Sequence, residues 1–180
     1  GARTPSPCGP ACPAYGGPGL YRELSWATIP TGFHAVTPRS VALAELCAYL
    51  DAFLRIGEIP DDTNAWNGLQ VENRGRVSAL VAAVDASQKT IDGLRAAAPR
   101  GSGALLLVHH GLFWDGNQPV TGRRYRRVRS LFDQDAALYS AHIPLDVHPD
   151  VGNNAVLGRA LKLTDTAPFG NHKGVPIGVA

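Results

Sequence analysis

The sequence predicts an α/β fold with a mainly parallel sheet and flanking helices, on two observations. Short apolar runs alternate along the chain with segments of helical periodicity, which is the order typical of strand–helix–strand units. The candidate strands are also continuously apolar rather than alternating, as expected for parallel strands that are covered on both faces. Helices on both sides of the sheet are therefore expected.

The first predicted element is an amphipathic helix that follows a capping signal at residues 37–40. Apolar residues then recur at helical spacing as far as Gly57, where a glycine C-cap would end the helix. A polar loop over residues 58–68 ends in an Asn67-Gly68 pair that suits a tight turn. A short strand at residues 69–72 is predicted to follow.

The central part of the chain is predicted to alternate between strands and helices. Residues 77–84 indicate a buried strand that Asp85 ends, and Ser87 is a candidate cap for a helix that stops at Pro99. The remaining predicted elements are a strand at 104–108, an arginine-rich helix to residue 134, a strand at 137–141, a helix at 153–161 and a strand at 175–179.

Domain organisation is predicted from composition. Residues 1–36 are dense in proline and glycine without hydrophobic period, which predicts a disordered extension before one domain over residues 37–180. No secretory signal and no apolar stretch of membrane-spanning length is evident, so no membrane partner is expected. The three cysteines form no disulfide framework, which favours a cytoplasmic, reducing compartment.

An apolar run at residues 105–108 leads into two adjacent histidines, His109 and His110. Consecutive residues of a regular strand point to opposite faces, so the pair could share a site only at the end of the strand. A sharp turn at Gly111, with backbone angles closed to other residues, would leave both imidazoles accessible. Ligands bind at this carboxyl edge in open α/β sheets.

A second apolar run, residues 138–141, is followed by His142 and, four residues later, by Asp146. If both runs are strands of one parallel sheet, their carboxyl ends share an edge, and these side chains converge with His109 and His110. Imidazole and carboxylate together are the usual ligand set for Zn, Mn or Fe. A metal site is therefore predicted at this edge.

Pro144 and His148 add to the interpretation of the second segment. Pro144 fixes its own φ and lacks a ladder donor, which predicts a shaped loop over residues 142–146 rather than a continuing strand. The role of His148 is open among a metal ligand, a hydrogen-bond partner of a ligand and a loop residue that faces water.

The run of arginines within seven residues comprises Arg123, Arg124, Arg126, Arg127 and Arg129. Such a run could bind a phosphate-bearing ligand, but it is more often the solvated face of a helix. The net charge of +2 is too small to indicate a nucleic-acid partner by itself. The run also lacks the aromatic interleaving expected for single-strand binding, so a nucleic-acid contact is the weakest interpretation.

Three ordered motifs carry a resemblance to a known family. Residues 67–72 (NGLQVE), 108–114 (VHHGLFW) and 139–149 (YSAHIPLDVHP), which continue into GNN at 152–154, resemble the dinuclear metal-centre proteins known as type 2 GTP cyclohydrolase I. ASQ at residues 86–88 is similar as well. The resemblance spans about residues 40–180.

The resemblance implies a site for two divalent metal ions in an α/β fold whose subunits assemble into a toroidal homohexamer. It implies His109, His110 and Asp146 as metal ligands and His142 as a histidine that lines the same pocket. In the family a further half of the chain supplies a His-x-x-x-Glu pair. No glutamate follows Glu72 here, so we expect this chain to be the amino-terminal half of such a protein, truncated at the carboxyl end, with an incomplete site.

The function that the resemblance implies is that of a metal-dependent hydrolase, in which two ions activate water against a nucleotide for GTP ring opening. A nearby histidine, His142 or His148, would move protons, and His142 is the catalytic candidate. The alternative is a non-catalytic divalent-metal-binding scaffold or interaction protein that forms a ring-shaped oligomer. The sequence leaves both open.

Overall fold

The computed structural model of the chain describes residues 40–98, 101 and 103–180. The predicted disordered extension at residues 1–36 lies outside the described residues, as do residues 37–39 of the capping signal. The described elements in chain order are β1 (Val41–Ala42), α1 (Leu43–Phe53), β2 (Gly68–Val71), β3 (Arg76–Val77), β4 (Ala79–Asp85), α2 (Gln88–Ala97), β5 (Ala104–His110), α3 (Gly122–Asp133), β6 (Ala136–Ser140), α4 (Ile143–Asp146), α5 (Asn153–Ala160), β7 (Pro168–His172) and β8 (Val175–Val179).

A four-stranded sheet in the order β2-β6-β5-β4 forms the centre of the described chain. Strands β4, β5 and β6 are parallel, and β2 pairs antiparallel with β6. The predicted mainly parallel α/β fold is therefore confirmed. Val108 of β5 lies opposite Ser140 of β6, so the residues that follow them leave the sheet at the same level. This register brings the two histidine-bearing segments to one edge.

Helices pack on both faces of this sheet. On one face, a buried cluster joins Ile91 of α2 and Leu131 of α3 to Leu106 and Leu138. On the other face, α1 packs against β5 and β6 in a second cluster that includes Tyr139. The Tyr139 hydroxyl donates a hydrogen bond of 2.7 Å to Asp51 of α1, and burial raises the pKa of this phenol. The two clusters hold the histidine-bearing strands in place.

The described helices do not cover both faces of β4, where the sequence predicted a buried strand. Leu80 is 58% exposed and Val84 is 63% exposed. The reason is position: within the described residues β4 is an edge strand that pairs only with β5, and the cluster around α1 contains no residue of β4. An apolar strip therefore remains open along this edge.

The ends of α1 differ from the prediction. The helix begins at Leu43 because Val41 and Ala42 pair with β3, and its N-cap Ala42 makes no side-chain hydrogen bond. It ends at Phe53 rather than near Gly57. Arg55, with φ of 56°, takes the left-handed conformation that a C-terminal glycine usually supplies. By contrast, the predicted cap of α2 is confirmed, since the Ser87 hydroxyl accepts a hydrogen bond from the Thr90 amide.

Two further elements differ from those predicted. The predicted loop at residues 142–146 contains the one-turn helix α4, with Pro144 in the first turn, where a missing amide hydrogen costs nothing. Strand β7 was not predicted, because its mostly exposed residues show no apolar alternation; it pairs with β8. The longest described helix has 12 residues, and none in the described part of the chain is long and apolar enough to cross a membrane.

Candidate metal centre

Three histidines meet at the carboxyl edge of the parallel strands. His109 and His110 are the last two residues of β5, and His142 follows the end of β6. The ring centroids are 4.5 Å apart for His109 and His110, 4.8 Å for His109 and His142, and 5.7 Å for His110 and His142. One nitrogen from each ring lies within 4.8 Å of the others, so the cluster could hold a metal ion.

Gly111 permits this geometry for a different reason from the one predicted. Its φ is not in the left-handed region, so no special backbone angle is required. Instead, a Cβ atom at Gly111 would collide with the side-chain amide of Gln70. That amide accepts a hydrogen bond from the Leu112 backbone and donates one to the Trp66 carbonyl, both of 2.7 Å. The glycine allows Gln70 to fasten the turn after β5.

Each imidazole of the cluster uses its Nδ1 atom in a hydrogen bond to oxygen. The acceptors are the Ala141 carbonyl for His109 at 3.1 Å, Asp85 for His110 at 2.7 Å and Asp61 for His142 at 2.9 Å. A carbonyl or carboxylate oxygen only accepts, so Nδ1 carries the hydrogen in all three rings. The Nε2 atoms therefore keep their lone pairs, which is the state that a metal-binding imidazole needs.

Asp61 is the most elaborately held of these acceptors. Its side chain is only 6% exposed and accepts further hydrogen bonds from the Asn67 side chain at 2.8 Å and the Ile143 amide at 3.0 Å. Burial would raise the pKa of the Asp61 carboxyl, but the hydrogen bonds from Asn67, His142 and nearby backbone amides outweigh burial and lower it. Asp61 is therefore an anion that fixes the orientation of His142.

Neither Asp61 nor Asp85 was predicted from the sequence to be a partner of the histidines. Asp85 could have been found, because it lies opposite His110 in the parallel register of β4 and β5. Asp61 could not, because it lies in a polar loop with no periodic signal and its partner His142 is 81 positions away.

Asp146 lies beside one member of the cluster. Its Oδ2 atom is 3.7 Å from Nε2 of His109, and its Oδ1 atom accepts a hydrogen bond of 2.8 Å from Asn153. Burial lowers the pKa of His109, although the Asp146 carboxylate opposes this effect, so His109 is neutral at pH 7. A neutral Nε2 and a carboxylate oxygen that face each other both offer lone pairs, and a cation between them would be stabilised. The Asp146 carboxylate therefore lies where it could contact a metal ion held by the histidine cluster.

His148, which the sequence left open, has both ring nitrogens engaged elsewhere. Nε2 donates to the Phe53 carbonyl at 3.1 Å, and Nδ1 accepts from the amides of Asp150 and Val151 at 3.1 and 3.2 Å. The residue is buried, and its ring centroid lies 4.4 Å from that of Phe53. His148 therefore joins the end of α1 to the turn before α5.

Trp114 forms a wall of the cluster. Its ring meets the ring of His142 edge-on at a centroid distance of 4.6 Å and lies 5.8 Å from the ring of His110. The indole Nε1 donates to the Gly111 carbonyl at 3.0 Å, which fixes the orientation of the ring. This apolar surface shields the histidines on the side of the loop that follows β5.

This arrangement defines a class of protein: an α/β sheet whose parallel strands gather imidazole and carboxylate groups at their carboxyl edge. The chain belongs to the Duf34/NIF3 (NGG1p interacting factor 3) family, whose model matches residues 41–179.

Relatives of known sequence include a GTP cyclohydrolase 1 type 2 homolog from Deinococcus radiodurans, 51% identical over 136 residues, a match that covers 76% of this chain and 49% of the relative. A protein of the same name from Pyrococcus abyssi is 43% identical over 134 residues, or 74% of this chain and 51% of the relative. The chain thus spans about half the length of the curated relatives it matches.

Solved structures agree with this assignment. The Thermus thermophilus protein TTHA1606 matches with a TM-score of 0.64 and 44% identity, over 72% of this chain and 51% of that one. Protein ybgI, described as of unknown function, matches with a TM-score of 0.60 and 37% identity, over 73% and 50% of the two chains. The central sheet is thus common to relatives whose names differ in what they say of function.

Proposed function

We propose that this chain forms part of a metal-dependent hydrolase that acts on a nucleotide, with GTP ring opening as the reaction. The observation that carries the proposal is the common anchoring of the three imidazoles, in which each Nδ1 is hydrogen-bonded to oxygen and no Nε2 makes a hydrogen bond within the described residues. Surface histidines have no reason to share such an arrangement, whereas metal ligands need it. The names of the relatives supply the nucleotide.

In this proposal His109, His110 and Asp146 would be this chain's ligands to two divalent ions, of Zn, Mn or Fe. When bound, such ions supply Lewis acidity and a water molecule of lowered pKa. The Nδ1 hydrogen bonds keep the rings of His109 and His110 in position, and Trp114 limits the access of bulk water on one side. These residues therefore prepare the site and take no part in bond making.

His142 is the proposed proton carrier. Its Nε2 atom makes no hydrogen bond to the described part of the chain, and the Asp61 carboxylate at Nδ1 would stabilise an imidazolium while the ring holds a proton. The small exposed fraction of Asp61 strengthens this interaction, because a buried charge is poorly screened by water. His142 could thus take a proton from an attacking water and deliver it to a ring nitrogen of the substrate.

The test is bound metal per chain, measured by elemental analysis after purification without chelators. We expect stoichiometric Zn, Mn or Fe in the wild-type chain and its loss in a His109→Ala, His110→Ala double variant. His172→Ala is the matched control, because His172 lies in β7 outside the cluster and should keep the metal. Formate release from GTP, absent in His142→Ala with metal retained, would support catalysis. Metal retained in the double variant, or lost equally in His172→Ala, would contradict the assignment.

A second candidate function is a metal-binding scaffold in a ring-shaped homo-oligomer, a hexamer in the whole protein. The specific observation in its favour is the exposed apolar strip on β4, with Leu80 at 58% and Val84 at 63% exposure. Contiguous apolar surface of this kind is typical of interfaces. A scaffold would bind metal and assemble but release no formate from GTP. Either form is proposed to work in the cytoplasm, where the buried free thiol of Cys47 stays reduced.

A further inference from the structure

A cavity of about 500 Å³ adjoins the candidate metal centre. It begins where the histidine-bearing strand ends, because Gly111, which follows His110, lines it. Trp114 also lines the cavity while its ring packs edge-on against His142. The cavity and the histidine cluster therefore adjoin at Gly111 and Trp114, and a ligand held in the cavity would have to extend past Trp114 to reach the histidines.

The charged side chains that line the cavity are Asp115, Arg123, Arg124 and Arg127. Arg124 pairs with Asp115, and its guanidinium lies 5.6 Å from the ring centroid of Phe113, so it is held in place. No ion pair within the described residues involves Arg123 or Arg127. The cavity therefore has two positive charges that no carboxylate of the described chain balances, and it favours an anionic ligand.

Arg127 gives a more specific indication. Its Nε atom is buried and has no hydrogen-bond partner in the described part of the chain. Buried donors are nearly always paired, so the described residues leave the hydrogen-bonding capacity of the Arg127 guanidinium incompletely used, and this arginine can accept a further anionic partner. Arg123 lies one helical turn before Arg127 and lines the same cavity. Together the two guanidinium groups could hold the oxygens of one phosphate chain.

The other two arginines of the run face elsewhere. Arg129 is bonded to the Tyr125 hydroxyl at 3.0 Å and lies 3.5 Å from Asp133. Arg126 is exposed and does not line the cavity. The helical period of α3 thus divides the run into a cavity side and a solvent side, so neither of the simple interpretations of the sequence describes the whole run.

We propose that the arginine cavity, lined by Arg123, Arg124 and Arg127, binds the phosphate groups of a nucleoside polyphosphate whose base lies against the histidine cluster. The placement of the base rests on the proposed function, whereas phosphate binding requires no metal. The junction at Gly111 and Trp114 fixes the order of the ligand, with its anionic end over α3 and its reacting end at the carboxyl edge of the sheet. The cavity would thus select phosphorylated substrates.

The test is calorimetric titration of the metal-free chain with inorganic tripolyphosphate, GTP and guanosine. Wild-type chain should bind tripolyphosphate and GTP, with GTP tighter, and guanosine weakly. Arg127→Gln and Arg123→Gln should each weaken tripolyphosphate binding by about tenfold or more, since each removes a charge-assisted contact. Arg126→Gln is the matched control, because it removes the same charge from the same helix outside the cavity, and should change affinity by less than about twofold.

Several outcomes would overturn the proposal. Absence of tripolyphosphate binding, or equal losses in Arg126→Gln and Arg127→Gln, would mean that only the general charge of α3 acts. Binding of a single-stranded oligonucleotide tighter than that of tripolyphosphate, with equal losses in both variants, would assign the run to nucleic acid. Tripolyphosphate binding as tight as that of GTP would confirm the phosphate site and overturn the placement of the base.

Two further measurements distinguish a loss of binding from a loss of fold, and the phosphate proposal from the metal-dependent function. Circular dichroism of each variant checks its fold, and if Arg127→Gln is unfolded, Arg127→Lys carries the test, because it keeps the charge but loses the planar donor and should bind more weakly than wild type. Phosphate binding without bound metal would leave this proposal standing and contradict the metal-dependent function. Metal-dependent turnover with an unchanged KM in Arg123→Gln and Arg127→Gln would support the metal-dependent function and contradict the phosphate site.

Discussion

At the scale of single residues, the candidate centre depends on oxygen atoms that hold the imidazoles in one tautomer. His109 is held by a backbone carbonyl, whereas His110 and His142 are held by carboxylates. The two carboxylates differ in environment, because the Asp85 side chain is 62% exposed and the Asp61 side chain only 6%. The contribution of Asp61 to stability should therefore be the larger of the two.

Asp61→Asn should destabilise the chain at pH 7 by about 1–3 kcal/mol, because an amide cannot accept all the hydrogen bonds that the carboxylate receives. Because the pKa of Asp61 is lowered in the folded state, its carboxylate stabilises the folded chain at pH values above the ordinary pKa of 3.8. This contribution is lost as the pH falls through the folded-state pKa. The variant should thus lose less stability below pH 3.8 than wild type. Urea unfolding at several pH values measures both effects.

Asp62→Asn is the matched control for this prediction, because Asp62 is the neighbouring carboxylate and its side chain is 69% exposed. It should alter the unfolding free energy by less than about 0.5 kcal/mol. An Asp61→Asn variant with the pH profile of wild type would show that this carboxyl is not the anion that orients His142.

At the scale of elements, the turn after β5 is held by a side chain from β2. Gln70 bonds to the Leu112 amide and the Trp66 carbonyl, and it occupies the space beside Gly111. The apolar run, the two histidines and the glycine could all be identified from sequence. The reason for the glycine could not, because Gln70 is brought to it by the pairing of β2 with β6 and of β6 with β5.

Gly111→Ala should displace the Gln70 amide and break both of its hydrogen bonds, at a cost of about 1–3 kcal/mol in the free energy of unfolding. Gly57→Ala is the control, since a Cβ atom there would meet nothing within 4 Å and its φ is not left-handed. That variant should be neutral or more stable by up to about 1 kcal/mol, through the lower entropy of the unfolded chain. Equal effects of the two variants in urea unfolding would refute the role given to Gln70.

The arginine-rich helix α3 also has features that the sequence predicts and features that only its packing decides. Its start, length and amphipathic character follow from local periodicity, and α3 lies where the sequence predicted a helix. The packing of α3 on the sheet decides which arginines face a cavity. The sequence therefore allowed only interpretations of the run as a whole, either as a phosphate site or as a solvated helix face.

At the scale of the whole molecule, the exposed strip on β4 is the feature that the predicted fold did not contain. A parallel strand with one uncovered apolar face and one open edge is prone to associate. The family resemblance implies assembly, and the strip is a candidate contact for it.

A Leu80→Gln, Val84→Gln double variant should therefore shift the chain toward monomer, and sedimentation velocity over a range of protein concentrations measures this shift. The matched control is Val120→Gln, which changes an apolar side chain that is 50% exposed in the loop before α3. It should leave the distribution of species unchanged. A wild-type chain that is monomeric at all concentrations would remove the strip as an assembly surface.

The sequence by itself determined what depends on neighbouring residues. Apolar runs predicted the parallel strands, Ser87 predicted a helix cap, and the placement of His109, His110 and His142 after two such runs predicted that they would meet. The tertiary structure alone decided which atoms face each other: Asp85 with His110, 25 positions apart, and Asp61 with His142, 81 positions apart. The physical reason is that periodicity reports the face on which a residue lies, whereas hydrogen bonds across the fold depend on sheet register and loop path, which no local pattern encodes.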